Sequence, residues 1–396
     1  MEWPLKTAEK DLVSSFENFI VENKDAFCSK RIFIWGASVR GTLFGILLEK
    51  YGIKDFFYLD NDERKWGTNI KEHEVIRPDE AKKNLKNIYI IIPLEYATEV
   101  CTQLRDWGLA EREFATVASD VEKNYTDEFY RVYNNDRLIL GETFLNETII
   151  DENNAESIKE CLWKKYKKEN TKILAMNCMG MQGFYQMLRL QILQGKAPKE
   201  TWVFVNFETL TEYHHILSRT QHPDLLKLIA KTGKIQDKSF ERYIEQADKR
   251  ARNYKIEMQY SPQRTFESKN VDHEVVQKEY MKMQLLQPLS LETVELVYFK
   301  KILELFNRYR IMGCIINIPI NYQLAEKLYP GKFVKIYEQN RTVLKKMVED
   351  YKCTFWDMGN LLEEKDFAAT VTINDAVYQS GRNKIMRYLD DREEKK

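Results

Sequence analysis

The sequence predicts an α/β protein of two domains, each built on a parallel sheet. Short apolar runs recur along the chain and alternate with amphipathic stretches of helical spacing, the pattern of parallel strands joined by right-handed crossovers. At 396 residues the chain is also long for a single core. A polar stretch, residues 118–136 with Tyr125, Tyr130 and Tyr133, separates two such series and reads as a linker or connecting helix. The expected organisation is a first domain over residues 1–120, a linker over 121–136, and a second domain over 137–396 with a helical insertion near 230–290.

In the first domain, residues 7–26 have helical spacing, with Leu12, Phe16, Ile20 and Phe27 roughly on one stripe. The apolar strand Arg31–Trp35 runs directly into Gly36-Ala-Ser-Val-Arg-Gly41 and a helical run, LFGILLEKYG. Further strands are expected at Phe56–Asp60 and at Ile88–Ile92, which Pro93 ends. Val100, Leu104 and Trp107 mark a helix within 95–109. Gly36 permits a tight turn, Gly41 permits close packing of helix on strand, and the helix N-terminus offers backbone N–H groups to a phosphate. Asp60, at the end of the second strand, stands where an acid binds a ribose hydroxyl. The middle glycine of a dinucleotide fingerprint is Ser38 here, which narrows the approach to a pyrophosphate. Two readings stand: Gly36, Ser38, Gly41 and Asp60 hold a nucleotide or nucleotide-sugar, or the glycines only shape a strand-to-helix turn. The order of the first strand, the LDND turn, the KWG loop and the VIRPDEA step resembles the small Rossmann-like domain of sugar-modifying and surface-polysaccharide proteins, over residues 31–117.

In the second domain, apolar runs fall at Leu138–Leu140, Ile173–Met176, Trp202–Val205, Cys314–Ile318 and Cys353–Trp356. Amphipathic stretches at 155–166, 293–310 and 336–351 lie between or beside them. Ile158, Cys161, Leu162 and Tyr166 share a face of the first; Leu296, Phe299, Leu303 and Phe306 share one of the second; Tyr337, Leu344, Met347, Val348 and Tyr351 share one of the third. Buried strands separated by helices give a three-layer sandwich, whose sites lie beyond the C-terminal strand ends.

The blocks that follow these strands resemble those of the SGNH (GDSL-like) hydrolases. LILGETFLN (138–146) looks like the block that presents the nucleophilic serine, and MNCMGMQGFYQMLRL (176–190) like the one whose glycine, here Gly180, helps form the oxyanion hole. VFVNFETL (203–210) stands where the family places an asparagine, and Asn206 fits with a shift. NDAVYQSGRNKIMRYL (374–389) looks like the last block, with a histidine five residues before a glycine. The resemblance implies a flavodoxin-like sandwich. Carried over by position, it puts Thr143 at the nucleophile, Ala376 at the histidine and Ile373 at the aspartate, with Asp375 out of register. Alanine takes no proton, so the ordinary serine-esterase mechanism is expected to be absent.

Another base would come from His214, His215 or His222, which cluster after the third strand; adjacent His214 and His215 cannot face the same way on a helix, and their spacing suits no metal. The other reading of that segment is a polar cap on the sheet. The candidate catalytic set is therefore Thr143, Asn206 and His214. Equal counts of 61 basic and 61 acidic residues argue against a dedicated nucleic-acid binder. No apolar run approaches membrane-spanning length and no secretory signal is visible, which gives a cytoplasmic protein without a transmembrane segment. The six cysteines form no C-x-x-C pair, and Cys161, Cys178 and Cys314 read as buried reduced thiols. Residues 230–290, with KSFERYIEQADKRARNYKIEMQ as an exposed helix, offer a lid or a surface for a partner protein. Together these expectations describe an SGNH-hydrolase-like protein of bacterial surface-glycan metabolism, with a degenerate catalytic site and a binding or scaffold role toward a small-molecule or glycan ligand. The glycan association comes from resemblance alone. The rival is an active esterase or acyltransferase using Thr143 with a non-standard base. No cofactor is expected beyond a nucleotide or nucleotide-sugar in the first domain, and no metal.

Overall fold

The computed structural model describes residues 8–94, 97–117, 134–146, 156–216, 220, 222–251, 273–368 and 377–395. The chain divides into two compact units, one carried mainly by residues 9–124 and the other mainly by 125–262 and 272–396.

The first unit is a six-stranded sheet, β1 (Arg31–Trp35), β2 (Phe56–Leu59), β3 (Asn69–Ile70), β4 (His73–Ile76), β5 (Ile88–Ile92) and β6 (Phe114–Thr116), in the order β3-β4-β2-β1-β5-β6. Every neighbouring pair is parallel except β3 and β4, a tight hairpin that turns at Lys71 with φ 54°. The three strands legible in the sequence form its centre. The hairpin and β6 were not legible, because β3 spans 2 residues and β6 spans 3, too few for a period to show. Alternation along β1 sends Ile32 and Ile34 to one core and Phe33 and Trp35 to the other, so both faces are covered. The N-terminal helix is broken: Ala8–Glu22 is followed by a separate Lys24–Ser29 turn of helix, and Phe16, Ile20 and Phe27 all reach the first of those cores. His73 points inward, stacked on Phe56 at 3.6 Å and hydrogen-bonded to Glu49 at 3.0 Å.

The second unit holds five parallel strands, β7 (Arg137–Gly141), β8 (Thr171–Ala175), β9 (Glu200–Val205), β10 (Met312–Asn317) and β11 (Thr354–Asp357). Their spatial order is β11-β10-β9-β7-β8. Numbered within the unit this is 2-1-3-4-5, the flavodoxin-like order, and it places the switch point between β7 and β9. Leu138, Leu140, Leu174, Val203, Val205 and Ile315 face one core, and Ile139, Ile173, Trp202, Phe204 and Ile316 face the other. The helices Met181–Leu193 and Val294–Tyr309 cover the first face, while Ile158–Tyr166 and Gln379–Glu393 cover the second. In the insertion, Lys238–Ala251 is amphipathic rather than exposed all round: Phe240, Ile244 and Ala247 are buried. Cys314 is buried as expected, but Cys161 and Cys178 are partly open to solvent.

The N-terminal edge of this sheet is tied together by Arg137. Its guanidinium bonds Glu200 and Glu169 at 2.9 Å each, and also Glu393 at the end of the last helix. It lies over the rings of Tyr166 and Trp202, 4.8 Å from each centroid. Arg137→Ala would strand the buried Glu200 carboxylate and remove those ring contacts. It is expected to lower unfolding free energy by about 3 kcal/mol, read from urea unfolding. A loss of a few tenths would show that the clamp is a surface ornament.

Candidate functional site

Both sheets present loops and helix N-termini at the C-terminal strand ends, and every candidate residue that the structure describes lies there.

In the first unit, Gly36 follows β1 with φ 111°, a conformation that L side chains resist, and its N–H donates to Leu59 O at 2.7 Å. A Cβ on Gly41 would stand 1.8 Å from the Gly36 carbonyl oxygen, so the helix Val39–Lys50 starts where only glycine fits. Ser38 caps that helix, its Oγ accepting the Gly41 N–H at 3.4 Å. Asp60 closes the group: one carboxylate oxygen accepts the Ala37 N–H at 2.8 Å and pairs with Lys65 Nζ at 2.9 Å, and the other accepts the Asp62 N–H at 2.8 Å. Gly36, Ser38, Gly41 and Asp60 thus converge on one mouth, with Leu94 lying against Gly36.

In the second unit, β7 ends at Gly141 and Thr143 opens a short helix, Thr143–Asn146. The Thr143 hydroxyl accepts the backbone N–H of Cys178 at 3.0 Å and touches the Cys178 thiol at 3.9 Å. Among the described residues, no histidine or carboxylate side chain bonds to that hydroxyl; Glu142 instead holds the Thr143 backbone N–H at 2.6 Å. Ile373, Asp375 and Ala376 lie outside the described residues.

Cys178 sits in the turn between β8 and the helix Met181–Leu193 with φ 58°. His222, at φ 42°, donates its ring to the backbone carbonyls of Asn177 and Cys178. Complete burial pushes the His222 imidazole down to about 4, against an ordinary 6.5, despite those two bonds. It is neutral at physiological pH and a feeble base.

Two residues further on, Gly180 caps the helix Met181–Leu193, where an oxyanion hole is expected from the block pattern. A carboxylate stands beside it. Glu295, 2 % exposed, accepts the Met181 N–H at 2.6 Å, and a Cβ on Gly180 would stand 2.8 Å from its oxygen. The other Glu295 oxygen meets His215 Nδ1 at 3.3 Å. Tyr243 packs on His215 at 6.0 Å. Burial raises the Tyr243 and Tyr298 phenols, so both stay protonated.

Asn206 directly follows β9. Its side chain is spent locally on Glu208, bonding the backbone N–H at 3.2 Å and the carboxylate at 3.3 Å. His214 is buried, its carbonyl accepting the Thr220 hydroxyl at 2.5 Å, and it is not a partner of Thr143. At β10 and β11, Asp357 accepts Asn317 Nδ2 at 2.8 Å and the Gly359 N–H at 3.0 Å, and pairs with Arg341. Among the described residues no group of three or more His, Cys, Asp or Glu is placed to hold a metal ion.

No protein-family model matches the chain, and no curated protein matches it. Among solved structures, a similar chain is LAE5, an α/β hydrolase enzyme from the metagenome of Lake Arreo, Spain. It shares 7 % identity with a TM-score of 0.31, over 66 % of this chain and 95 % of that one. That likeness is too slight to carry a role to any residue. No helix among the described residues is long and apolar enough to cross a membrane.

Glu295 escaped the sequence reading. It stands in the first turn of its own helix, Val294–Tyr309, where an acid is unremarked because it suits the helix's positive end. The signal available was its neighbour, the buried Leu296, on a helix whose start was already read as core-facing.

Two outcomes follow. Thr143→Val removes the acceptor of the Cys178 N–H and is expected to cost about 1–3 kcal/mol in urea unfolding, whereas Thr143→Ser stays near wild type. For His222, the unfolded chain binds a proton below about 6.5 and the native state only below about 4. Its contribution is therefore complete above pH 6.5 and is lost as pH falls through that window, by about 3 kcal/mol in all. His222→Asn, which tolerates the left-handed backbone, should flatten that part of the stability-versus-pH curve. An unchanged slope would mean that other groups carry the acid sensitivity.

Proposed function

We propose that the second unit is an SGNH-hydrolase-like module of bacterial surface-glycan metabolism that binds its ligand, or serves as a scaffold, and does not cleave esters at Thr143. The observation that carries this reading is the Glu295 carboxylate on the N-terminus of the Met181–Leu193 helix. Acyl transfer develops negative charge on the carbonyl oxygen, and donors aimed at that oxygen supply much of the rate enhancement. Here the Met181 N–H, beside Gly180, serves a buried carboxylate, whose charge would repel an oxyanion at that helix end. Thr143 adds to the case. A threonine hydroxyl attacks only with a base beside it, and its partner is a backbone N–H. The feeble base His222 bonds the same turn and is no substitute.

For the first unit the proposal is a nucleotide or nucleotide-sugar site at Gly36, Ser38, Gly41 and Asp60. Support comes from their convergence at the ends of β1 and β2 and from the steric need for glycine at position 41. The two-domain assignment, the glycan context and a cytoplasmic location belong to the same proposal and rest on the sequence resemblances.

Purified protein is expected to turn over simple aryl and acetyl esters no faster than about the rate of a surface-catalysed background, and any trace should persist in Thr143→Val. Robust hydrolysis that vanishes in Thr143→Val would overturn the binding reading and favour the esterase or acyltransferase alternative. Native mass spectrometry of small molecules retained on the protein tests the first unit: a phosphorylated sugar or nucleotide is expected.

A further inference from the structure

A cavity of about 320 Å³ opens in the second unit at the end of β11, the edge strand of its sheet. Tyr337, Arg341, Asp357, Asn360, Leu361 and Arg392 line it. Asp357 is held by three donors: one oxygen accepts Asn317 Nδ2 and the Gly359 N–H, and the other accepts Arg341 Nε. Glu338 accepts Arg341 Nη1 at 2.8 Å, so two carboxylates fix that guanidinium and offset its charge. Among the described residues its Nη2 has no partner. Arg392 lies over the Tyr388 ring at 5.1 Å and pairs with no carboxylate among the described residues. Tyr337 is buried; its phenol oxygen accepts Asn317 Nδ2 at 3.2 Å, which leaves the O–H to donate, and burial keeps that phenol protonated. A Cβ on Gly359 would stand 1.6 Å from the same oxygen, so only glycine lets the loop after β11 pack over it. The one lining anion is thus spent on the protein, while two guanidiniums, a phenol and the Asn360 amide face the space. Guanidinium groups bind phosphate and carboxylate through paired N–H donors, and phenol and amide suit hydroxyls. Ligand clefts run from roughly 300 Å³ upward, so this one admits about a single sugar ring.

We propose that this cavity binds a monosaccharide-sized ligand bearing a phosphate or a carboxylate, with Arg341 and Arg392 on the anion and Tyr337 and Asn360 on the hydroxyls. Asp357 and Glu338 are the positioning residues of Arg341. The proposal rests on the binding reading of the second unit and gives it a ligand class and a place. The cavity shares no residue with Thr143 or Gly180. The two therefore fail separately: hydrolysis that needs Thr143 sinks the first, and the absence of binding that needs the arginines sinks the second.

The test is titration calorimetry on the full chain at low salt, with glucose 1-phosphate, glucuronate, inorganic phosphate and glucose as probes. One of the two sugar anions is expected to bind with a millimolar or tighter Kd, about tenfold or more tighter than glucose. The tighter of the two identifies the anionic group. Arg392 is exposed on the last helix, so Arg392→Gln should keep the urea midpoint and weaken binding about tenfold, as loss of a charge-assisted bond does. Arg341→Lys keeps the charge and loses the planar fork, and it should weaken binding as well. A phosphate site in the first unit would respond to neither substitution, so binding unchanged in both variants would overturn the proposal. So would glucose binding as tightly as the sugar anions, or inorganic phosphate doing so. No saturable heat from either sugar anion at millimolar concentration would overturn it too.

Discussion

Glu295 places a full negative charge, 2 % exposed, against the first backbone N–H of the Met181–Leu193 helix, and the burial of that charge constrains everything around it. Taking a carboxylate out of water costs several kcal/mol unless donors replace the lost hydration. The helix N-terminus supplies one donor together with a partial positive charge of roughly +0.5, and His215 supplies another. The demands then pass outward. Position 180 has no room for a Cβ, since the carboxylate oxygen would lie 2.8 Å from it. The turn leading into Gly180 holds Cys178 in a left-handed backbone, and it is pinned from one side by the Thr143 hydroxyl and from the other by the His222 ring. The turn before Gly180 is thus held by side chains from two other segments, and the helix after it by Glu295.

The first unit meets the same electrostatic problem differently. Its Val39–Lys50 helix also begins at a strand end, and Asp60 also turns a carboxylate toward the preceding turn, through the Ala37 N–H. But Asp60 does not sit on the helix N-terminus itself, which Ser38 caps, and Lys65 offsets its charge at 2.9 Å. An acid with a lysine beside it is compatible with ligand hydroxyls and does not forbid a nearby phosphate. The closed helix end in the second unit and the more open one in the first follow from where the carboxylate stands relative to the first free N–H.

Much of this was legible in the sequence because parallel strands buried on both faces read as unbroken apolar runs. Ile88–Ile92 and Trp202–Val205 announce themselves. Gly36 and Gly41 were legible because a close approach of backbone leaves no alternative residue. The rest was hidden for definite reasons. The β3–β4 hairpin is too short to show a period, and its inward residue is His73, which pattern reading treats as polar. Asn206 looked available for a site, but an asparagine just past a strand readily turns on the local backbone, as it does with Glu208. The Glu295 partnership joins helices 114 residues apart, and no local window carries such information. Cys178 read as a buried thiol because its neighbours are apolar, yet the turn lifts it partly into solvent.

The two edges of the second sheet divide the work, and the division bears on where change is tolerated. At the N-terminal edge, Arg137 gathers carboxylates from the start of β9, from the loop before β8 and from the last helix, and stacks on two aromatic rings. At the C-terminal edge the carboxylates face turns and helix ends, where a side chain can exchange its partner for a ligand without unpicking the core. Glu295 is the sharpest instance: one oxygen accepts the Met181 N–H and the other meets His215 Nδ1. In this unit Thr143, which the block pattern puts at the nucleophile, is committed to the backbone of the Cys178 turn, and Gly180 lies against the Glu295 carboxylate.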